Sequence, residues 1–388
     1  GRIDVGDALL NTSIGELAGD AITTGYRNAA FGYNALSANT TGHSNVAIGY
    51  QALNANTTTS YNVAIGRDAL KVATAGDNVA VGANALDANT TGTRNIGVGD
   101  NALGATTTGS QNTAVGGNNM QANTTGAYNT SVGSGALTAN TTADSNTAVG
   151  YNALTANTTG TYNVSVGGYS LDANTTGNYN TALGQSALGQ NTTADNNTAV
   201  GRNALTANTT GANNDAVGAY ALDANTTGSF NNAFGRSALS SNTTGSQNTA
   251  VGYGALFDNT ANENVAVGNW ALQNNTTGTS NVGVGVSVLD ANTTGSGSVA
   301  IGYEALMATT TGGQQVAVGY RALKSTTTNE DNVAVGYEAL EACTTGAKNT
   351  AVGWNSIKAD AGALYCTAVG HDALAHQTGT RSHNTAIG

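Results

Sequence analysis

The residues best placed to do chemistry are aromatic and charged. Tyr303, Tyr320, Tyr337 and Trp354 recur at a fixed spacing of 17 residues near the C-terminal end. Beside them stand Glu304, Arg321 and Glu338, and a second set, Lys324, Glu341 and Lys358, keeps the same period. Rings on one strip can stack on apolar ligand faces and donate hydrogen bonds, so these residues are candidates for contact with a glycan or a protein surface. The bland alternative is cross-coil stabilisation, worth ~0.2–1 kcal/mol per pair, which is common sheet chemistry.

Other chemical signals are weaker. Gly97-Val98-Gly99-Asp100-Asn101-Ala102 imitates a dinucleotide loop, but no helix or βαβ unit follows it. Cys343, Cys366, His371, His376 and His383 lie too far apart in sequence for the tight ligand pairs of a metal site. Asn-Thr-Thr occurs thirteen times, each a formal N-glycosylation acceptor, yet its regularity fits ladder residues better. Regular Thr columns also raise an ice-binding reading; adjacent Thr residues on a strand face opposite ways, so one column at most would meet ice. There is no paired carboxylate, Ser-His-Asp set or metal cluster. No catalysis, cofactor or metal is expected.

All of these residues sit on one repeat. Counting from the Gly of Ala-Val-Gly, the origin recurs from Gly15 to Gly388 in 23 copies, and nineteen of the 22 intervals are 17 residues. The unit reads N-T-A-V-G-x-x-A-L-x-A-N-T-T-G-x-x. Residues 1–10 form a lead-in with a partial copy, Ile3-Asp4-Val5-Gly6, and 11–388 form one uninterrupted array. The last copy stops at Ala386-Ile387-Gly388, where the next Ala-Leu is due, so the pattern is expected to continue.

Position −1 is always Val, Ile, Leu or Phe, and −3 is mostly Val or Thr. That period-two pattern is a short strand. Position −2 is Ala, Ser or Gly in all 23 copies, and +4 is Leu in 19 of 22. The expected interior is therefore the −1 Val and the +4 Leu. The small −2 column is expected either at a chain–chain contact or tightly covered by its own coil. Asn at −4 in 20 of 23 copies, and at +7 in most, predicts side-chain ladders from coil to coil.

A unit this short, with two apolar stretches and two turns, is one coil of a parallel β-solenoid. Coils rising by about 4.8 Å would build a rod of roughly 100 Å. The composition agrees. Charged residues are 9 %, aromatics 5 %, proline is absent and 53 of 388 residues are glycine. A net charge of −11, with only 12 Lys and Arg, disfavours nucleic acid and anionic membranes as partners, because both need basic patches. No apolar run reaches the ~20 residues that span a bilayer.

The units Asn146–Asn163 and Asn45–Asn62 resemble the head repeats of trimeric autotransporter adhesins. They resemble still more the repeats of bacteriophage tail fibres, whose N-T-A-x-G-x-x-A-L-x-x-N-T-T-G spacing they share. The resemblance implies an all-β, left-handed β-roll of about 22 coils in a homotrimeric, extracellular fibre that touches a host-surface glycan or protein. A phage tail fibre is the first reading, a bacterial surface adhesin the alternative, and an ice-binding or matrix solenoid the alternative of another class.

Overall fold

The computed structural model describes residues 2–5, 9–376 and 382–388. Gly6 of the lead-in copy lies outside them. Two compact units make up the chain, Gly1–Asp195 and Asn196–Gly388. Among the described residues there is no helix. Each unit is a parallel β-solenoid with one short strand per coil.

In the first unit, β1 (Arg2–Val5) pairs with β2 (Thr12–Gly15), and β2 pairs with β3 (Ala29–Phe31). Three-residue strands then recur down to Thr181–Leu183. The second unit repeats the pattern from Thr198–Val200 to Thr385–Ile387. Successive strands are parallel and in register, as in Thr147↔Val164, Ala148↔Ser165 and Val149↔Val166. The lead-in strand departs from the repeat. β1 runs antiparallel to β2, with Ile3 opposite Ile14. It covers the edge that β2 would otherwise offer to another strand.

The faces of the strand are the reverse of the sequence expectation. The small −2 residues point inward: Ala30, Ala47, Ala148 and Ser165 are fully buried. The larger −1 residues point outward. Ile48, Val132 and Phe234 remain 38 %, 39 % and 42 % exposed. The interior is too thin for two facing Val columns. A Cβ added at Gly283, a −2 position, would lie 3.0 Å from both Leu272 Cδ1 and Val288 Cγ1. The +3 residue and the +4 Leu of each coil already fill the space, so the strand can insert only Gly, Ala or Ser, and only Gly where +3 is enlarged to Val288. The expected −1 Val core is thus replaced by Ala at −2 and +3 with Leu at +4. Of the two places expected for the −2 column, the structure shows cover by its own coil.

The turns depend on left-handed backbone. The origin glycines have φ near +135°, for example +139° at Gly150. A Cβ there would meet the Gly167 carbonyl oxygen at 2.6 Å, so close coil stacking excludes a side chain. Three non-glycine positions per coil are also left-handed, as at Asn152 (φ 52°), Leu154 (φ 54°) and Tyr162 (φ 58°). Asn accepts this region readily, whereas Leu and Tyr do so at a cost of about 1 kcal/mol or more. Burial of Leu154 and coil-to-coil bonds such as Leu154 N–H to Ser170 O, 3.0 Å, hold it there.

Two Asn columns complete the interior. At −4, Asn163 N–H donates to Asn146 Oδ1 at 2.9 Å, and Asn146 Nδ2 donates to Gly160 O at 2.9 Å. At +7, Asn157 Nδ2 donates to the same Gly160 carbonyl at 2.9 Å and to Asn140 Oδ1 at 3.2 Å. These amides have no access to solvent. Coils of 16 residues lose their residue in the turn after +7. Val63↔Val79 still pair, and Asn78 N–H still reaches Asn62 Oδ1 at 3.0 Å.

Candidate contact surface

The candidate strip lies in the second unit, on position +1, immediately after the origin glycine. Tyr303, Tyr337 and Trp354 are 45 %, 39 % and 50 % exposed, and Tyr320 is half-buried between its neighbours. The rings stack. Centroids are 5.4 Å apart for Tyr303–Tyr320, 5.0 Å for Tyr320–Tyr337 and 4.5 Å for Tyr337–Trp354, with interplanar angles of 11°, 11° and 24°. His371 extends the stack, 5.9 Å from Trp354, and its place in the same column was the signal for it. Because each ring covers its neighbour's face, the ladder presents edges and hydroxyls to solvent.

The charged residues pair within positions +2 and +5, where opposite signs alternate from coil to coil, and also across the two. Glu304 accepts from Lys324 Nζ at 2.7 Å and Arg321 Nε at 2.9 Å. Glu338 pairs with Lys358, which also lies 3.8 Å from Glu341. The Arg321 guanidinium sits 5.0 Å from the Tyr320 ring centroid. The Lys324 hydrogen bond holds the Glu304 carboxyl below its ordinary range. The Glu304 hydrogen bond raises the Tyr303 phenol, and desolvation followed by Glu338 repulsion raises Tyr337. Glu338 itself is buried.

This strip overlies the coils in which the interior Asn columns lapse. Ser298, Gln315 and Cys366 replace Asn at −4, while Thr309, Thr326, Cys343 and Asp360 replace it at +7. Asn292 Oδ1 and Gln315 Oε1 are left without protein partners. Rings and ion pairs therefore add outer cross-coil contacts where inner ones are fewest. Part of the strip's role is structural.

The remaining sequence signals resolve simply. Gly97 fills the small −2 column on strand Ile96–Val98, where an added Cβ would meet the Ala102 carbonyl oxygen at 3.2 Å and Leu86 Cδ1 at 3.4 Å. Cys343 and Cys366 are buried free thiols, and burial pushes the Cys343 thiol up to about 11. Among the described residues, no group of three or more His, Cys, Asp or Glu is placed to hold a metal ion. The Asn of each Asn-Thr-Thr, such as Asn157, is buried with its amide bonded, so the folded chain offers no acceptor there.

The Thr-Thr pair lies in a bend rather than a strand, so the opposite-face argument fails. Thr158 Oγ1 donates to Thr175 O at 3.0 Å, and Thr159 beside it is exposed. The sequence also gave no sign of the Trp270 ring lying against Gly254, 4.5 Å from the Tyr253 ring.

Among the described residues, no helix is long and apolar enough to cross a membrane. No protein-family model matches the chain, and no curated protein sequence matches it.

Proposed function

We propose that this chain is a non-catalytic structural segment of an extracellular attachment fibre. Its parallel homotrimer would pack identical strand faces against one another. The observation that carries this reading is the outward apolar column. Position −1 is Val, Ile, Leu or Phe in every copy, though it faces solvent in a single chain. An exposed strand position under no demand would vary among polar residues. A contiguous apolar stripe of this kind marks an interaction surface, and its identity in coil after coil is what a self-complementary, symmetric contact requires. The interface thus belongs to −1 and −3 rather than to the small −2 column.

A bacteriophage tail fibre is the first owner proposed, on the N-T-A-x-G repeat resemblance, with a bacterial trimeric adhesin head as the alternative. In both, the fibre's exposed strip contacts a host-surface glycan or protein, and no part of this segment inserts into a membrane. The exposed Thr159 column favours ice binding as a second reading, which thermal hysteresis of the purified chain tests. For the fibre, Val149→Lys and Val166→Lys together are expected to abolish self-association and, with it, the β-sheet circular dichroism signal. Unchanged association in that variant refutes the proposed interface.

A further inference from the structure

In the second unit the outward strand face is nearly featureless. Position −1 is Val, Ile or Phe in every copy from Val200 to Ile387, and −3 is Val or Thr in all but two. A face this uniform does not define its own alignment. Sliding one chain along another by one coil, about 4.8 Å, sets Val or Thr against Val or Thr again and gives up only one coil's contacts. The two exceptions are Asp215 and Asn232, on the successive strands Asp215–Val217 and Asn232–Phe234. They are direct partners in the parallel ladder, with Thr198 and Thr249 on either side. Asp215 is the sole ionisable residue at −1 or −3 in all 23 copies, and Asn232 the sole amide. Both are half-buried, and among the described residues neither side chain has a hydrogen-bond or ion-pair partner in its own chain. Nothing within the single coil therefore calls for either residue, since Thr or Val forms the same strand elsewhere.

From this we infer that Asp215 and Asn232 fix the axial register of self-association: the partner this face accepts is a second copy of the chain aligned coil for coil. The inference rests on the trimer proposed above and specifies how its chains line up. In a symmetric parallel trimer without offset, the polar pair of every chain lies at one level. An Asn232 amide can then donate to a neighbouring copy's carboxylate, and the clustered polar groups keep water among them. An offset breaks this cluster. Two coils of slip would bring Asp215 level with the Thr249–Val251 strand of a neighbouring copy and desolvate a carboxylate against apolar side chains. A buried charge without a matched partner costs far more than the contacts of one or two coils at the end of the stripe. One polar position in an otherwise apolar seam specifies register in coiled coils by the same physics, at some expense in stability.

The test reads alignment by disulfide trapping in the full chain. Cys343→Asn and Cys366→Asn first remove the native thiols, each by the residue its column most often holds. Val251→Cys and Val284→Cys, at −1 and two coils apart, are then placed on separately tagged chains and co-expressed. A disulfide needs Cα atoms within about 7 Å, whereas two coils span about 10 Å. Same-position disulfides therefore report aligned chains, and mixed-position disulfides report a two-coil slip. With Asp215 and Asn232 in place, same-position pairs are expected to exceed mixed pairs at least tenfold in a glutathione redox buffer. Asp215→Thr with Asn232→Thr is expected to raise the mixed fraction at least fivefold, with trimer mass and β signal retained. Asp215→Val with Asn232→Val, the column's other common residue, serves if the first variant misfolds. A mixed fraction unchanged by these substitutions, or already equal to the same-position fraction before them, overturns the register assignment and leaves the trimer standing. A monomer, or a trimer without same-position disulfides, removes the proposed interface and the register assignment with it.

Discussion

Replacing Asn146 by Ala separates ladder chemistry from simple packing. Asn146 is buried, and its Oδ1 is the acceptor given for the Asn163 N–H, at 2.9 Å. Its Nδ2 donates to Gly160 O, which keeps a second donor in Asn157 Nδ2 at 2.9 Å. The Ala variant therefore strands one buried amide, at a cost of about 1–3 kcal/mol, while the carbonyl stays satisfied. The chain contains its own control. Ser298 stands in this column, and its Oγ accepts from Gln315 N–H at 3.4 Å. Asn146→Ser should then recover part of the loss. Native-state hydrogen exchange reads the effect at the bond itself, which matters because repeat arrays often unfold in several steps. Protection of the Asn163 amide should fall by about 5- to 150-fold in the Ala variant and by less in the Ser variant, following the free-energy range above. Unchanged protection in the Ala variant, or a Ser variant no better than Ala, refutes the reasoning.

Glycine substitutions should divide by column. Gly150→Ala drives a Cβ to 2.6 Å from backbone at φ 139° and should destabilise by more than about 3 kcal/mol, whereas Gly97→Ala should be tolerated in thermal melts because its column is normally Ala. Tyr320→Ser removes two stacking contacts and should cost about 1–3 kcal/mol by denaturant titration. Burial raises the Asp290 carboxyl above its ordinary value of 3.8. Its contribution is thus most favourable below that value and is lost as pH rises through the folded pKa. Asp290→Asn, a residue the same column carries at Asn54, should raise the melting temperature at pH 7, with the gain shrinking toward pH 3. A gain that grows on acidification contradicts the burial argument.

Much of the fold was legible because a repeat supplies its own alignment. The coil length, the strand at −3 to −1, the buried Leu, the Asn ladders and the origin glycine all follow from columns that vary little or not at all. The orientation of the strand was not legible. Hydrophobicity assigns Val inward, but only the distance across the coil, filled by residues such as Leu272 and Val288, shows that nothing larger than Ser fits. The left-handed Leu154 and Tyr162 left no trace either, since neither type favours that region; Asn152 at +2 did. The aromatic ladder was readable from its period. Its placement over the lapsed Asn columns required knowing which columns lie inside.

The central claim is that the outward Val column is covered by identical chains. Sedimentation equilibrium of the purified protein over a wide concentration range tests it most directly. The account predicts a species of three times the 38.3 kDa chain mass, with loss of β signal wherever the trimer dissociates. A stable 38.3 kDa monomer with an undiminished β signal at the highest concentration would contradict it.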